Sequence, residues 1–310
     1  MDNQCRTTEE LYDECNRIVK ESEHVSITPS KYVNFDHAFV ENPEPVSMVW
    51  YLSEDTDDHQ QAFGEFIVSS AFNGGYWYDT DPVTQWEVNG SGSMAMEKWI
   101  REELFNNGLH PYHCQDRQKV IKKLYPSLDL QPNAAHRKRI ISELAFNNRR
   151  FAEPIMRQRH TNREEYTFNW LDVSFLADCL PESFGGDPYL KKACLVYLIF
   201  TGWLRSKGIK VTADFPIPTD YQMPRIFQYE GAIDITVAFE NELNAGKLVD
   251  VTSPEVMAFR AAGIVVAHEL AERYGLDDYQ IDNVLFSLYR KDENFIKNSV
   301  KPMRCMSMWF

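Results

Sequence analysis

The sequence predicts a mainly α-helical fold, a single compact domain over residues 1–310 with at most a small β element. Three observations point there: apolar residues recur at helical spacing between start and stop residues, strand–helix–strand alternation is missing, and nothing repeats at a fixed period. A chain of 310 residues is long enough to bury a large core.

Thr7 and Glu10 fit a capping box, and Leu11, Cys15, Ile18 and Val19 form one apolar stripe, so residues 1–25 hold an amphipathic first helix. A second helix is expected from Thr28 to Val40, with Tyr32, Phe35 and Phe39 at helical spacing, before Pro43 and Pro45 break the chain. Ser47 to Leu52 is β-prone, and the acidic run SEDTDDH after it reads as a solvated loop or a helix entry. Ala62 to Phe72 reads as a buried helix that opens into the string FNGGYW, Phe72–Trp77. Thr84 to Val88 reads as a strand, with NGSGS behind it as the turn of a small hairpin. Ser93 starts a helix with Met96, Trp99, Ile100 and Leu104 inward and Gly108 as its stop. Helices follow at 115–125, 134–146 and 169–180.

From Asp187 to Gly208 one helix is expected: Asp187 caps it, Pro188 suits its first position and Gly208 ends it in a left-handed conformation. Its stretch from Ala193 to Leu204 is apolar nearly all round, which signals burial on most faces, and is too short to span a bilayer. Ser253-Pro254-Glu255 opens a long helix to Tyr274 that Gly275 ends, and Asp278 to Tyr289 is another. The tail KPMRCMSMWF is apolar enough to dock.

Composition excludes some functions and leaves others. A net charge of −14 argues against a duplex-DNA surface, because neutralising phosphates takes clustered Lys and Arg. The one dense cationic stretch is NRRFAEPIMRQRH, Asn148–His160. Aromatic residues make up 13%, which suits stacking on a flat heterocycle as well as core packing. The six cysteines form no CxxC pair and point to a reducing, cytoplasmic setting, and the polar, acidic first residues do not read as a signal peptide or a membrane anchor.

General motifs give no chemistry. HELAE at His268 lacks the second histidine of a zinc helix, since Glu272 stands there. The carboxylates after Asp79 lack calcium-loop spacing, and FGGDP at Phe184 is not followed by a phosphate-loop lysine. One carboxylate remains of interest: Asp220, followed by Tyr221 and Pro224 in a turn that Pro216 and Pro218 restrict. A carboxylate near buried rings can stabilise the positive charge on a sugar as its glycosidic bond breaks, or attack the anomeric carbon.

Six strings stand in order along the chain, FNGGYW at Phe72, RKRIISEL at Arg137, DPYLKKA at Asp187, TDYQMPRIFQYEGAI at Thr219, EVMAFRAAG at Glu255 and IDNVLFSLYRKD at Ile281, and together they resemble the queuosine salvage proteins, which hydrolyse queuosine 5′-phosphate. FNGGYW is similar to the family's LNFxFW, RKRIISEL at Arg137 to its RxxIL-x-E helix, and DPYLKKA at Asp187 to the start of its central helix. TDYQMPRIFQYEGAI at Thr219 is similar to ADYRxPQ…GAL, and EVMAFRAAG at Glu255 and IDNVLFSLYRKD at Ile281 to the last two helices. The resemblance covers the chain after about residue 25. It implies a fold related to the helix-hairpin-helix DNA glycosylases, a small-molecule nucleotide substrate, release of queuine and ribose 5-phosphate, and no metal or other cofactor. Asp220 corresponds to the family's catalytic aspartate. Base recognition is implied for Asn283, Ser287 and Asp292, with Tyr51, Asn73, Trp77 and Tyr221 lining the site, and Lys191 and Arg260 as supports or phosphate contacts.

The chain also departs from that pattern. Ser70, a position near Ile199, and Ser287 stand where the family has acids, Gln222 where it has the arginine of DYR, and Tyr51 where it has a histidine. Buried carboxylates without partners are costly, so losing several while keeping Asp220 points to a changed ligand. Two other readings stay open: a non-catalytic nucleotide- or partner-binding descendant, and a base-excising or base-modifying enzyme on nucleic acid that would use Arg149, Arg150, Arg157 and Arg159.

Overall fold

The computed structural model describes residues 7–40, 56–78, 81–88, 92–106, 117–146, 165–246, 248–305 and 307–308. The expected strand at Ser47–Leu52, Tyr51 and the basic stretch Asn148–His160 lie outside these residues. The described structure is mostly helical, with a few short strands. No helix among the described residues is long and apolar enough to cross a membrane.

The chain divides into two compact units. The first comprises Met1–Met48, Thr167–Trp170 and Thr201–Arg304; the second comprises Val49–Tyr166, Leu171–Phe200 and Cys305–Phe310.

In the first unit, helix α1 (Thr8–Glu21) starts where Thr7 Oγ1 accepts from the Glu10 amide, and it buries Leu11, Cys15 and Val19. Strand β1 (Val25–Ile27) follows. The expected helix at Thr28–Val40 is instead a 3₁₀ segment, Pro29–Phe35, continued by a single α-turn, α2 (Asp36–Phe39). Tyr32 and Phe35 are three residues apart, so a helix of three residues per turn places both rings inward.

In the second unit, Asp58 caps α3 (His59–Phe72) by accepting from the Gln60 and Gln61 amides. A hairpin pairs β2 (Trp77–Tyr78) with β3 (Asp81–Gln85), so the strand lies earlier than the expected Thr84–Val88, and the turn expected after Val88 begins at residues 89–91, outside the described residues. Helix α4 (Gly92–Trp99) runs into a π-helical turn, Ile100–Phe105, and buries Met96, Trp99, Ile100 and Leu104 as its periodicity predicts. Helix α5 (Arg117–Leu128) runs past its expected end with Pro126 inside it, and α6 (Ala134–Phe146) has its expected bounds.

Strand β4 (Glu165–Asn169), which no pattern announced, takes the first residue expected of α7 (Trp170–Cys179). The next helix, α8, spans Lys191–Ser206 and starts later than Asp187 and Pro188 predict. Asp187 still accepts from the Tyr189 and Lys191 amides, but Leu190 has φ 49°, and that left-handed residue keeps the turn before it out of the helix.

The first unit continues with β5 (Lys210–Asp214), α9 (Gln222–Tyr229), β6 (Ile233–Ile235) and α10 (Val237–Asn244). The order closes with α11 (Pro254–Tyr274), α12 (Asp278–Tyr289) and α13 (Glu293–Asn298). Helix α11 begins at the Ser253 cap and ends at Gly275, φ 66°. Its run Ala258–Ala267 is buried on every face, and α1, α9 and α12 all pack against it. It is the axis of this unit.

Instead of one small β element, the described residues hold three two-stranded sheets, β1–β6, β2–β3 and β4–β5. In the first, Val25 pairs with Ile235 and Ile27 with Ile233, antiparallel. Three-residue strands carry too short an alternation to stand out in sequence. In the second unit Phe63 packs on Phe200 and Tyr197, with ring centroids 5.0 and 5.4 Å apart. Burying each such ring contributes about 1.5–3 kcal/mol.

Candidate functional site

Asp220 lies in the first unit at the end of a buried segment without regular secondary structure, Phe215–Thr219, just before α9. The turn is fixed from α11. Arg260, 1% exposed, donates from Nε and Nη2 to the Thr219 carbonyl at 2.9 and 2.8 Å. One turn along α11, Gly263 lets the segment come close: a Cβ there would sit 2.8 Å from Pro224 Cγ and 3.2 Å from Thr219 Cγ2. Asp220 Oδ1 accepts from the Gln222 amide at 2.7 Å, which restrains the carboxylate. Asp220 and Tyr221 are both half-buried.

A buried guanidinium stands on the same turn. Arg225 donates to the Val300 carbonyl at 2.6 Å, to Ser299 Oγ at 2.8 Å and to Gln222 Oε1 at 3.0 Å. Burial lowers its pKa, and the nearby Tyr221 and Asp220 oppose that shift. The expected base-reading residues divide by role. Asn283 is buried in α12, and Ser287 is half-buried one turn further on the same helix. Asp292 caps α13, its Oδ1 accepting from the Asn294 and Phe295 amides at 2.8 and 3.2 Å.

The other expected contacts belong to the second unit. Asn73 is the C-terminal cap of α3, and its Oδ1 accepts from the Tyr76 hydroxyl. Trp77 is half-buried in β2, opposite Gln85. Lys191 is buried at the start of α8. The FNGGYW segment is held by its carbonyls. Arg137, fully buried, donates from Nη1 to Phe72 O at 2.9 Å, from Nη2 to Gly74 O at 2.8 Å, and from Nε to Pro132 O at 2.8 Å. Burial pulls its pKa down to about 10. Lys192 Nζ donates to the Ala71 carbonyl and, at 2.8 Å, to the Met308 carbonyl, which ties down the tail as its apolar character predicts.

Arg137, Lys192 and Arg225 escaped attention as single residues, although the first two carry a readable signal. Arg137 shares a helical face with Ile140, Ile141 and Leu144, all buried. Lys192 leads directly into an apolar helix. A cation on an apolar stripe is a buried donor looking for carbonyls.

A further titratable cluster lies in the first unit. Tyr12 donates to Asp278 Oδ2 at 2.5 Å, His268 Nδ1 lies 3.5 Å from Asp278 Oδ1, and the Tyr12 and His268 rings stack at 3.8 Å. The Asp278 contact raises the His268 pKa against the effect of burial, and burial raises that of Asp278 against its two partners.

No protein-family model matches the chain, and no curated protein matches it.

Proposed function

We propose that this protein hydrolyses the N-glycosidic bond of a modified-purine nucleotide, with queuosine 5′-phosphate as the first substrate to test and Asp220 as the catalytic carboxylate. The observation that carries the reading is the fixed base under Asp220: Arg260 grips the Thr219 carbonyl, and Gly263 admits Thr219 and Pro224 onto α11. A charge held in one place stabilises a developing cation without reorganising when the bond breaks. As the base departs with the bonding pair, Asp220 offsets the positive charge on the ribose or forms a transient ester at its anomeric carbon. Water then completes hydrolysis.

The changed family string supports the same reading. Where the family reads Arg and, three residues later, Gln, this chain has Gln222 and Arg225, and the two side chains hydrogen-bond at 3.0 Å. The same two residue types stand at these positions, exchanged. The implied kinship with helix-hairpin-helix glycosylases and a cytoplasmic location go with this reading.

Incubation of the purified protein with queuosine 5′-phosphate should release queuine, read by mass spectrometry. Asp220→Asn should slow release by about 10³-fold or more while leaving the melting temperature near wild type. An Asn variant as fast as wild type would remove Asp220 from the chemistry.

A second reading, a nucleotide-binding protein without turnover, is favoured by the residues at or near the family's acid positions. Ile199 is buried and apolar, and Ser70 is buried with its hydroxyl unpartnered among the described residues. It predicts saturable binding of the nucleotide and no free base after prolonged incubation.

A further inference from the structure

The second unit carries a groove of about 440 Å³ at the start of α6, lined among others by Tyr78, Gln131, Ala134, Ala135, His136 and Arg139. None of these residues belongs to the Asp220 turn.

The start of α6 is an open donor site. Asn133 precedes the helix and has a side chain suited to capping it, and its carbonyl does accept from the Arg137 amide at 3.0 Å. Its side chain is diverted: Nδ2 donates to the Gly75 carbonyl at 2.9 Å, with the Asn133 backbone in the left-handed region at φ 56°. No described group accepts from the Ala134 or Ala135 amides, which sit at the positive end of the helix dipole. One turn on, Arg139 pairs through Nε with Glu182 at 2.9 Å, and its two terminal nitrogens have no partner among the described residues. Among the described residues no carboxylate lines the groove itself, although the chain carries a net charge of −14; that of Glu182 flanks it, 2.9 Å from Arg139 Nε and 3.8 Å from His136 Nε2.

Gln131 is the independent sign of a ligand. It lines the groove, is 6% exposed, and neither its Oε1 nor its Nε2 has a hydrogen-bond partner among the described residues. Leaving both ends of a buried amide unpaired costs on the order of 1–3 kcal/mol for each polar atom. A bound group offering one donor and one acceptor removes that penalty.

We propose that this groove binds a small phosphomonoester whose neighbouring ring carries both a donor and an acceptor, as in a nucleoside 5′-monophosphate. The phosphate takes the Ala134 and Ala135 amides and the Arg139 guanidinium, the ring edge takes the Gln131 amide, and Tyr78 offers its face to the ring. His136 donates its Nε2 proton to the Glu182 carbonyl at 2.9 Å, and burial lowers its pKa, so the binding charge rests on Arg139 and the helix amides.

The test is calorimetric titration of the full chain, carrying Asp220→Asn to prevent turnover, with inorganic phosphate, adenosine 5′-monophosphate and adenosine at low ionic strength. The monophosphate should bind saturably, and adenosine should bind at least about tenfold more weakly, the loss expected when charge-assisted hydrogen bonds are removed. Arg139→Ala should weaken both phosphate and the monophosphate by about tenfold. Gln131→Leu should weaken the monophosphate and leave inorganic phosphate unchanged. Ala135→Asp places a carboxylate on the open amides, so it should raise the melting temperature while abolishing binding. Absence of saturable binding by either anion would overturn the proposal. So would binding that ignores the Arg139, Gln131 and Ala135 changes. The glycosidase reading is judged separately, by base release from protein with Asp220 intact.

Discussion

Arg260 and Gly263 do related work at the Asp220 turn, one by attraction and one by leaving room, and both can be tested singly. Gly263→Ala puts a methyl group 2.8 Å from the Pro224 ring, so the turn must shift off α11. Overpacking of this kind costs about 1–3 kcal/mol in chemical denaturation, and displacing the carboxylate should lower base release more than that loss of stability alone explains. Equal activity in wild type and variant would remove Gly263 from the positioning of Asp220. Arg137 presents a cleaner stability case. Its guanidinium serves the carbonyls of Phe72, Gly74 and Pro132, and Arg137→Met leaves all three without that donor inside the second unit. The expected loss is about 3–5 kcal/mol, and Arg137→Lys should restore only part of it because one ammonium cannot span the same fork of carbonyls. A loss below about 1 kcal/mol by urea denaturation would show that water replaces the guanidinium.

At the scale of elements, the helices with strong local signals were legible and the others were not. Helix α11 runs between the Ser253 cap and the left-handed Gly275, and both signals lie within the helix ends themselves. Helix α12 has a full capping box, in which Asp277 Oδ1 accepts from the Gln280 amide and Gln280 Oε1 accepts from the Asp277 amide. The other oxygen of Asp277 takes Arg205 Nη2, on α8. Asp277→Ala should therefore destabilise by about 1 kcal/mol for the cap plus up to about 1 kcal/mol for the half-buried pair, more than Ser253→Ala. Equal losses in thermal or urea unfolding would mean the Arg205 contact contributes nothing. The β1–β6 pairing had no such local mark, because its partners lie far apart in sequence: Thr28 and Asp234, bonded at the sheet's end, are separated by 206 residues. The late start of α8 was hidden for a different reason. Asp187 and Pro188 form a proper helix beginning on paper, and only the left-handed Leu190 moves the first turn downstream.

For the whole molecule, the Tyr12–Asp278–His268 cluster makes stability depend on pH in a stated direction. His268 is raised in the fold, so its contribution is complete below its unfolded value, about 6.5, and fades as pH climbs through the higher folded value. Asp278 is also raised, so the folded chain binds its proton more tightly than the unfolded one, and that contribution falls with rising pH from about 3.9 upward. Wild type should therefore lose more stability than His268→Gln between about pH 6 and pH 9, and parallel curves for the two proteins would refute the linkage. The sequence alone determined the helical class, the inward faces of α1 and α4, and the ends of α11, because periodicity and capping are properties of neighbouring residues. Only the tertiary structure decided where Arg137, Arg225, Arg260 and Gln131 point and which carbonyls they meet or leave unmet. Those partners come from segments distant in the chain, and a buried polar group is satisfied or stranded by the fold around it, not by its own neighbours.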